Sequence, residues 1–343
     1  MIKIGYFGDG PWASRALSHI AENSERFSVA FITPRFDTQD PALKEWAVKL
    51  GVPFLPCENV NDAAFITKIK EFGCDLLVSM SFNQILKSEI IGAAPQGFIN
   101  CHAGALPFYR GRNPLNWALI NGEEEFGVTV HYIDEGIDTG DIIVRNMVPV
   151  ADNDDYACLL EKAHGACADS LLEALSAIEA GTVKSAKQSD IHPVGFYCGR
   201  RREGDEWIDW YDSSRDIYNF IRALNQPGPG ARTLSEKGVV ALLKAEKIPG
   251  APAYRATSGE VVGRTENGVI VKTGDSTLLV TKAAQVSVNG DIEEPFIPCW
   301  PVGMRLTQPL RAELNELRSL VRKLAEELDV LKTGANLAGV AKK

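Results

Sequence analysis

Short apolar runs alternate with helical patterns over the first 180 residues of the chain. Runs rich in β-branched and aromatic residues predict four strands, at 2–7, 28–33, 75–80 and 97–101. Between them, apolar residues recur at helical spacing and predict helices near 11–22, 41–50, 61–71 and 84–92. Strands and helices in this order are typical of an α/β fold with a parallel-sheet core and helices on both faces.

Two more strands and a long helix follow before the pattern changes. Apolar runs at 127–133 and 141–150 predict the strands, and residues 153–179 predict the helix. A polar connector then leads to a region where Gly/Pro-rich turns separate short apolar runs, a pattern typical of a small β barrel or sandwich. The expected organisation is an α/β domain at 1–185, a linker at 186–205 and a smaller β domain at 206–305.

The C-terminal segment carries a heptad pattern. Its apolar residues follow one another at alternating steps of four and three: Leu310, Leu314, Leu317, Val321, Leu324, Leu328 and Leu331. This period predicts an amphipathic helix at 308–332, followed by a tail at 333–343. The helix either docks on its own domain or joins two subunits as a coiled coil, and both interpretations stay open. We expect a homodimer.

Composition narrows the function. The chain has 343 residues and a formal net charge of -9, which disfavours a protein dedicated to binding nucleic acid. Its seven cysteines include no C-x-x-C pair, so neither a disulfide framework nor a metal site is expected. No apolar run approaches the ~18 residues that span a bilayer, and the N-terminus lacks a signal-peptide pattern. We expect a cytoplasmic protein without a membrane partner.

One segment combines residues suited to acyl transfer. Asn100 and His102 lie at the carboxyl end of a predicted strand, where open α/β sheets place their ligands. Because they are two residues apart, their side chains point the same way. An amide supplies a donor for an oxyanion, and an imidazole can take the proton of an attacking amine. Asp138, in a tight turn after the next strand, is expected to orient that imidazole.

These residues belong to motifs that resemble a known family. Asn-x-His at 100–102, Leu-Pro-x-Tyr-Arg-Gly-Arg-x-Pro at 106–114 and Asp-x-Gly-Ile-Asp-Thr-Gly-Asp at 134–141 look like those of the N10-formyltetrahydrofolate-dependent formyltransferases. The resemblance covers about the first 180 residues. It implies a Rossmann-like domain, N10-formyltetrahydrofolate as formyl donor, and catalytic roles for the Asn, His and Asp of the motifs. A similar block at 196–232 implies that the second domain is OB-like.

The resemblance also implies binding residues. The folate would be held by the Arg112 side chain and by the backbone of Asp134, Glu135, Gly136, Ile137 and Asp138. The substrate side of the cleft would be lined by Gln84, Ile85 and Leu86.

The loop with Gly8, Gly10 and Trp12 would shape the mouth of the site at a helix N-terminus. Its G-x-G-x-x-A pattern alone is a weak sign of NAD binding. Arg110, like Arg35 and Arg200–Arg202, could meet a diphosphate.

The acceptor amine is the least defined part of the prediction. Methionyl-tRNA formyltransferases of this family carry a basic, Gly-rich insertion after the second strand, and here a short loop at 34–41 takes its place. We therefore expect a nucleotide-linked 4-amino-4-deoxy sugar as acceptor, which would place the enzyme in lipopolysaccharide O-antigen biosynthesis. Methionyl-tRNA formylation is the alternative. A third hypothesis is an inactive scaffold that oligomerises through its C-terminal helix.

Among the five histidines, only His102 has a motif around it. His131 lies on an alternating strand without a partner at motif spacing, and we interpret it as a packed or solvated side chain rather than a ligand.

Overall fold

A computed structural model of the protein describes residues 1–309, 313–314, 317–325 and 328. The chain forms two compact units, of which the first ends at Arg202 and the second begins at Glu203.

The first unit is built on a six-stranded sheet with the order β2-β1-β3-β4-β6-β7. The strands of this unit are β1 (Ile2–Gly8), β2 (Phe27–Pro34), β3 (Leu76–Met80), β4 (Phe98–His102), β5 (Arg110–Gly111), β6 (Glu125–Tyr132), β7 (Ile142–Pro149) and β8 (Tyr197–Cys198). Its helices are α1 (Gly10–Glu22), α2 (Pro41–Leu50), α3 (Ala63–Glu71), α4 (Ser88–Ile91), α5 (Pro114–Ile120), α6 (Tyr156–Glu179) and α7 (Gln188–Ile191).

The predicted parallel core is confirmed, and two antiparallel strands extend it. Strands β1 to β4 pair in parallel, and nearly all their residues are buried, as a sheet covered on both faces requires. Strands β6 and β7 pair antiparallel because only the turn between Tyr132 and Ile142 connects them. Strand β4 pairs antiparallel with β6, which sets residues of the two strands directly opposite one another.

Two local predictions differ from the structure. The helix predicted at 84–92 is limited to α4, because the side chain of Gln84 bonds the backbone of the loop at 57–60 instead of continuing a helix. The segment predicted as a linker, 186–205, packs on the first unit up to Arg202. Ala186 bridges to Ile142, and β8 pairs with β5.

The second unit is rich in strands, as predicted. It contains α8 (Ser214–Leu224), β9 (Ala231–Ser235), β10 (Gly238–Lys247), β11 (Val261–Thr265), β12 (Gly268–Lys272) and β13 (Thr277–Gln285). The five strands form one antiparallel sheet in the order β11-β12-β13-β10-β9. Thr307 bridges to Leu234 of β9, and Arg305 bridges to Glu260 beside β11, so the segment 305–307 connects both edges of the sheet. Such a connection is the way a small sheet curves towards a barrel.

A C-terminal helix is present at 317–325. Every described residue from 313 to 328 is exposed to solvent. Several positions of the heptad pattern, including Leu310 and Leu331, and the tail at 333–343 lie outside the described residues. Within the described part of the chain, no helix has the length and apolar character needed to cross a bilayer.

Candidate active site

The register of β4 and β6 creates the first half of the site. Asn100 of β4 stands directly opposite His131 of β6, and the Asn100 amide nitrogen lies 3.3 Å from His131 Nε2. The other ring nitrogen, His131 Nδ1, lies 2.8 Å from the carbonyl oxygen of Tyr132. Because a carbonyl only accepts, His131 Nδ1 carries a proton, and in the neutral ring Nε2 accepts from the Asn100 amide.

His102 lies two residues further along β4, on the same side. Its Nε2 is 2.7 Å from the carbonyl oxygen of Tyr109, and its Nδ1 is 3.7 Å from Asp138 Oδ2. The Tyr109 carbonyl therefore fixes the proton of the neutral ring on Nε2. Nδ1 is the nitrogen that remains available to take a proton, and a carboxylate stands beside it.

Asp138 connects the two histidines. It lies in the turn after β6 with φ of 54°, a left-handed conformation that Asp tolerates better than most residues. Its Oδ1 is 3.5 Å from His131 Nε2, and its Oδ2 accepts a hydrogen bond of 2.8 Å from the Gly111 N–H. Burial acts to raise the pKa of Asp138, but the positive charges that His102 and His131 carry when protonated, together with the Gly111 N–H, hold it well below its ordinary value. Asp138 is therefore ionised at neutral pH.

Two residues missed by the sequence reasoning support this arrangement. His131 is packed, with 2% of its side chain exposed, but it also contacts Asn100 and Asp138. Only the strand register reveals this role, although His131 does precede the motif at 134–141 by three residues. Gln188 lies in the segment predicted as a linker, and no sequence signal marks it. Its amide donates to the carbonyls of Asp138 and Gly140, each at 2.8 Å.

Gln188 also explains where Arg110 lies. The Gln188 Oε1 atom accepts from Arg110 Nε at 2.9 Å and from Nη2 at 2.7 Å, and Arg110 Nη1 donates to the Val194 carbonyl. Both side chains are buried. Arg110 thus braces the turn that holds Asp138, and its guanidinium is engaged within the protein rather than presented to a diphosphate.

A cavity of about 520 Å³ opens beside these side chains. Its wall includes all three predicted catalytic residues, and a cavity of this size is ordinary for a small-molecule site. Several predicted binding residues also line it: Trp12, Gln84, Ile85, Leu86, Arg112, Asp134, Gly136 and Ile137. The structure therefore brings most of the predicted site to one place.

The cavity has features that fit a folate. Ile85 and Ile137 expose apolar side chains at its wall, and the turn after β6 is held in shape by Asp134, whose Oδ1 accepts from the Gly136 N–H and the Thr139 hydroxyl. Arg112 is exposed at the wall, and among the described residues its guanidinium has no hydrogen bond or ion pair. An apolar wall with a free cation suits a flat heterocycle that carries a carboxylate tail.

Other predicted binding residues have different surroundings. Among the described residues, the cavity wall does not include Gly8, Gly10, Arg110 or Glu135. The Gly10 N–H at the start of α1 donates to Asp40 at 2.9 Å, so a carboxylate already occupies the position at which a phosphate would bind. The amide of Gln84 is bonded to Val60 N–H and the Cys57 carbonyl, so its polar atoms serve the protein backbone.

Arg35 is also engaged. Its Nη2 donates to Asp37 at 2.5 Å, and its Nη1 lies 3.5 Å from Asp9. Arg35 and Arg110, two of the arginines that we expected to contact a diphosphate, are therefore bonded within the protein.

Chemically, the site can transfer an acyl group to an amine. Asn100 presents an amide donor, His102 has one defined nitrogen for proton transfer, and Asp138 places a negative charge beside it. Among the described residues, no group of His, Cys, Asp and Glu is arranged to bind a metal ion. A Rossmann-like domain with such a site defines an acyl-transfer enzyme as the class.

Comparison with known proteins identifies the family. The N-terminal formyl transferase domain matches residues 6–175, and the formyl transferase C-terminal domain matches residues 201–287. A methionyl-tRNA formyltransferase of Fusobacterium nucleatum is 33% identical over 82% of this chain and 92% of its own. Another, from Halalkalibacterium halodurans, is 37% identical over 81% and 88%. The chain belongs to the formyl transferase family.

Solved structures support the fold. A sugar 3N-formyl transferase, crystallised with dTDP and 5-N-formyl-THF, superposes with a TM-score of 0.61 at 23% identity, covering 82% of this chain and 97% of that one. An N-formyltransferase of Helicobacter canadensis, in complex with folinic acid and dTDP-3-aminofucose, gives a TM-score of 0.58 at 21% identity, with coverages of 82% and 99%. At these identities the likeness concerns the fold.

The comparisons correct the expected acceptor. Six further relatives, at 30–35% identity, are also methionyl-tRNA formyltransferases. The prediction of a nucleotide-linked amino sugar, with its place in O-antigen biosynthesis, is therefore wrong. It relied on the short loop at 34–41 and on net charge, and neither reports how charges are arranged on the folded surface. The prediction that nucleic acid is disfavoured as a partner relied on the same two features, and these relatives are named for a tRNA acceptor.

Proposed function

We propose that this protein transfers the formyl group of N10-formyltetrahydrofolate to the amine of methionyl-tRNA. The observation that carries the acceptor is its identity of 30% or more to methionyl-tRNA formyltransferases along 81–82% of the chain, which includes most of the second unit. The observation that carries the chemistry is the convergence of Asn100, His102 and Asp138 on one cavity. That intact set also argues against an inactive scaffold.

His102 acts first as the base. Its neutral form keeps the proton on Nε2, where the Tyr109 carbonyl accepts it, so Nδ1 takes the proton of the attacking amine. The resulting imidazolium is paired with the Asp138 carboxylate, whose low pKa keeps it ionised. The protonated ring can then donate to the oxyanion that forms on the formyl carbon. Its proton would pass to N10 as the bond between N10 and the formyl carbon breaks, so that tetrahydrofolate leaves neutral and His102 returns to its neutral form.

Asn100 supplies the second donor. An amide has two N–H groups, and one of them is held by His131 Nε2. The other is free to point into the cavity, towards the developing negative charge. A donor fixed in advance stabilises the transition state without reorganisation when the reaction occurs.

The folate would be held by residues at the cavity wall. Arg112 suits the carboxylates of its tail, and the turn at 134–138 offers backbone groups to its ring. When bound, N10-formyltetrahydrofolate supplies the activated formyl group. The chain's own residues position the amine, remove its proton and stabilise the charge on oxygen.

An acceptor panel tests this function. The protein is incubated with labelled N10-formyltetrahydrofolate and, separately, methionyl-tRNA, uncharged tRNA, free methionine and amino sugar nucleotides. We expect label in methionyl-tRNA, with a rate at least ~100-fold lower for Asn100→Ala. If another amine is formylated and methionyl-tRNA is not, the proposed acceptor is contradicted. If no amine of the panel is formylated, formyl transfer itself is contradicted.

A further inference from the structure

The C-terminal helix exposes its apolar stripe to solvent. The described members of the stripe are 44–59% exposed: Leu314, Leu317, Val321, Leu324 and Leu328. A helix of this length is marginal in water on its own, and helices in proteins owe most of their stability to an apolar face that packs. Within the described part of the chain, no residue of the same chain covers this face.

We propose that this face binds a second copy of the chain and forms a parallel, two-stranded coiled coil. The steps of three and four place Leu314, Val321 and Leu328 at heptad positions a, and Leu317 and Leu324 at positions d. Leucine at both of these d positions is the pattern of two-stranded coils, and β-branched Val321 at one of the three a positions agrees with it.

The charges beside the stripe select the parallel orientation. In a parallel pair, each g residue faces the e residue five positions later on the other helix. Glu313 then meets Arg318 of the partner subunit. Leu320, at the next g position, is 52% exposed, and it meets Ala325 of the partner subunit as an apolar pair. Both pairs are thus favourable.

An antiparallel pair would bring like charges together. In that orientation g faces g and e faces e. Among the described residues, the charged residue at a g position is acidic, Glu313, and the charged residue at an e position is basic, Arg318. Only repulsive encounters between charged residues are then possible. The same sequence that favours parallel dimers therefore disfavours the alternative.

The first test is the mass of the full-length protein by sedimentation. We expect the wild type to be a dimer at a protein concentration of about 100 μM. The double variant Leu317→Glu with Leu324→Glu should be a monomer, because it places charges between the two helices. Ser319→Glu with Arg322→Glu, on the outer face, is the matched control and should stay dimeric. Unchanged formylation activity per chain shows that the variants are folded. A wild-type monomer, a trimer, or a dimer that survives the seam variant would overturn the proposal.

The second test exchanges charges and distinguishes a parallel from an antiparallel coiled coil. In a parallel coil, Glu313→Lys sets Lys against Arg318 of the partner subunit, and Arg318→Glu sets Glu against Glu313 of the partner subunit. Each variant should raise the dimer Kd at least about 10-fold, and an equal mixture of the two should restore dimers as heterodimers. An antiparallel coil predicts that neither variant weakens association. That outcome would overturn the parallel orientation.

Discussion

At the scale of single residues, the site depends on which atoms carry protons. Two carbonyl oxygens, of Tyr109 and Tyr132, each hold one ring N–H, of His102 and His131 respectively. They leave His102 Nδ1 for the amine and His131 Nε2 for Asn100. Sequence spacing predicted the side-by-side placement of Asn100 and His102, but a tautomer depends on backbone carbonyls that only the folded chain brings near.

We expect His131→Leu to lower kcat about 10-fold. The variant removes the acceptor that orients the Asn100 amide, and a loss of about 1.4 kcal/mol of transition-state stabilisation corresponds to that factor. KM for the folate should change little, because His131 acts through Asn100. His131→Gln, whose side-chain oxygen can accept the same hydrogen bond, should recover part of the rate. Steady-state kinetics with both substrates measures this, and an equal rise in KM would contradict a positioning role.

Asp138 makes stability depend on pH in a defined direction. Its pKa is lowered by folding from an ordinary value of 3.8, so it stabilises the fold fully above that value. The contribution is lost as the pH falls below 3.8 towards the folded pKa. The difference in unfolding free energy between wild type and Asp138→Asn should be constant between about pH 5.5 and 5, where the carboxyl group is ionised in both the folded and the unfolded chain. The difference should shrink as the pH falls towards 3. Urea denaturation at each pH measures it, and a pH-independent difference would refute the assignment.

At the scale of elements, the loop between β4 and β5 is packed tightly against His102. A Cβ atom at Gly104 would lie 2.5 Å from His102 Nε2 and 2.7 Å from the Tyr109 carbonyl oxygen, so Gly104→Ala must displace one of them. We expect kcat to fall at least about 10-fold. Gly199→Ala is the control, because a Cβ there meets nothing within 4 Å. Equal activity of both variants would contradict the need for this contact.

Gln188 links three elements, and two substitutions separate its roles. Gln188→Leu leaves the Arg110 guanidinium buried with fewer partners, and we expect the unfolding free energy to fall by about 3 kcal/mol. Gln188→Glu keeps an acceptor for Arg110 but turns a carboxylate towards the carbonyls of Asp138 and Gly140. It should remain nearer wild type in stability and still lose kcat about 10-fold. Denaturation and kinetics are measured together, and full activity of the Glu variant would refute the bracing role.

The elements show what the sequence could and could not predict. Apolar runs located β1 to β4 and most long helices, because buried strands and amphipathic helices have strong periods. The pairing of β4 with β6 could not be predicted from the sequence, because the register of two strands is a relation between distant segments of the chain. The segment with Gln188 looked like a linker because its polar residues bond to the first unit, and polarity alone does not distinguish such contacts from solvent exposure.

At the scale of the whole molecule, the acceptor was the prediction that failed. Motif residues indicate the reaction at the formyl carbon, and the chemistry of a reaction does not by itself specify which amine accepts the group. Selection of the amine depends on surfaces, and net charge averages over them. Similarity over both domains is a better guide to the proposed acceptor than the single loop at 34–41, because it samples most of the chain.

The proposed reaction is formyl transfer to methionyl-tRNA by Asn100, His102 and Asp138. Single-turnover formylation, with enzyme in excess over methionyl-tRNA and N10-formyltetrahydrofolate supplied, measures this step directly. We expect formylmethionyl-tRNA with the wild type, and rates at least ~100-fold lower for His102→Asn and Asp138→Ala at unchanged folding by circular dichroism. Near-normal rates for either folded variant would contradict it.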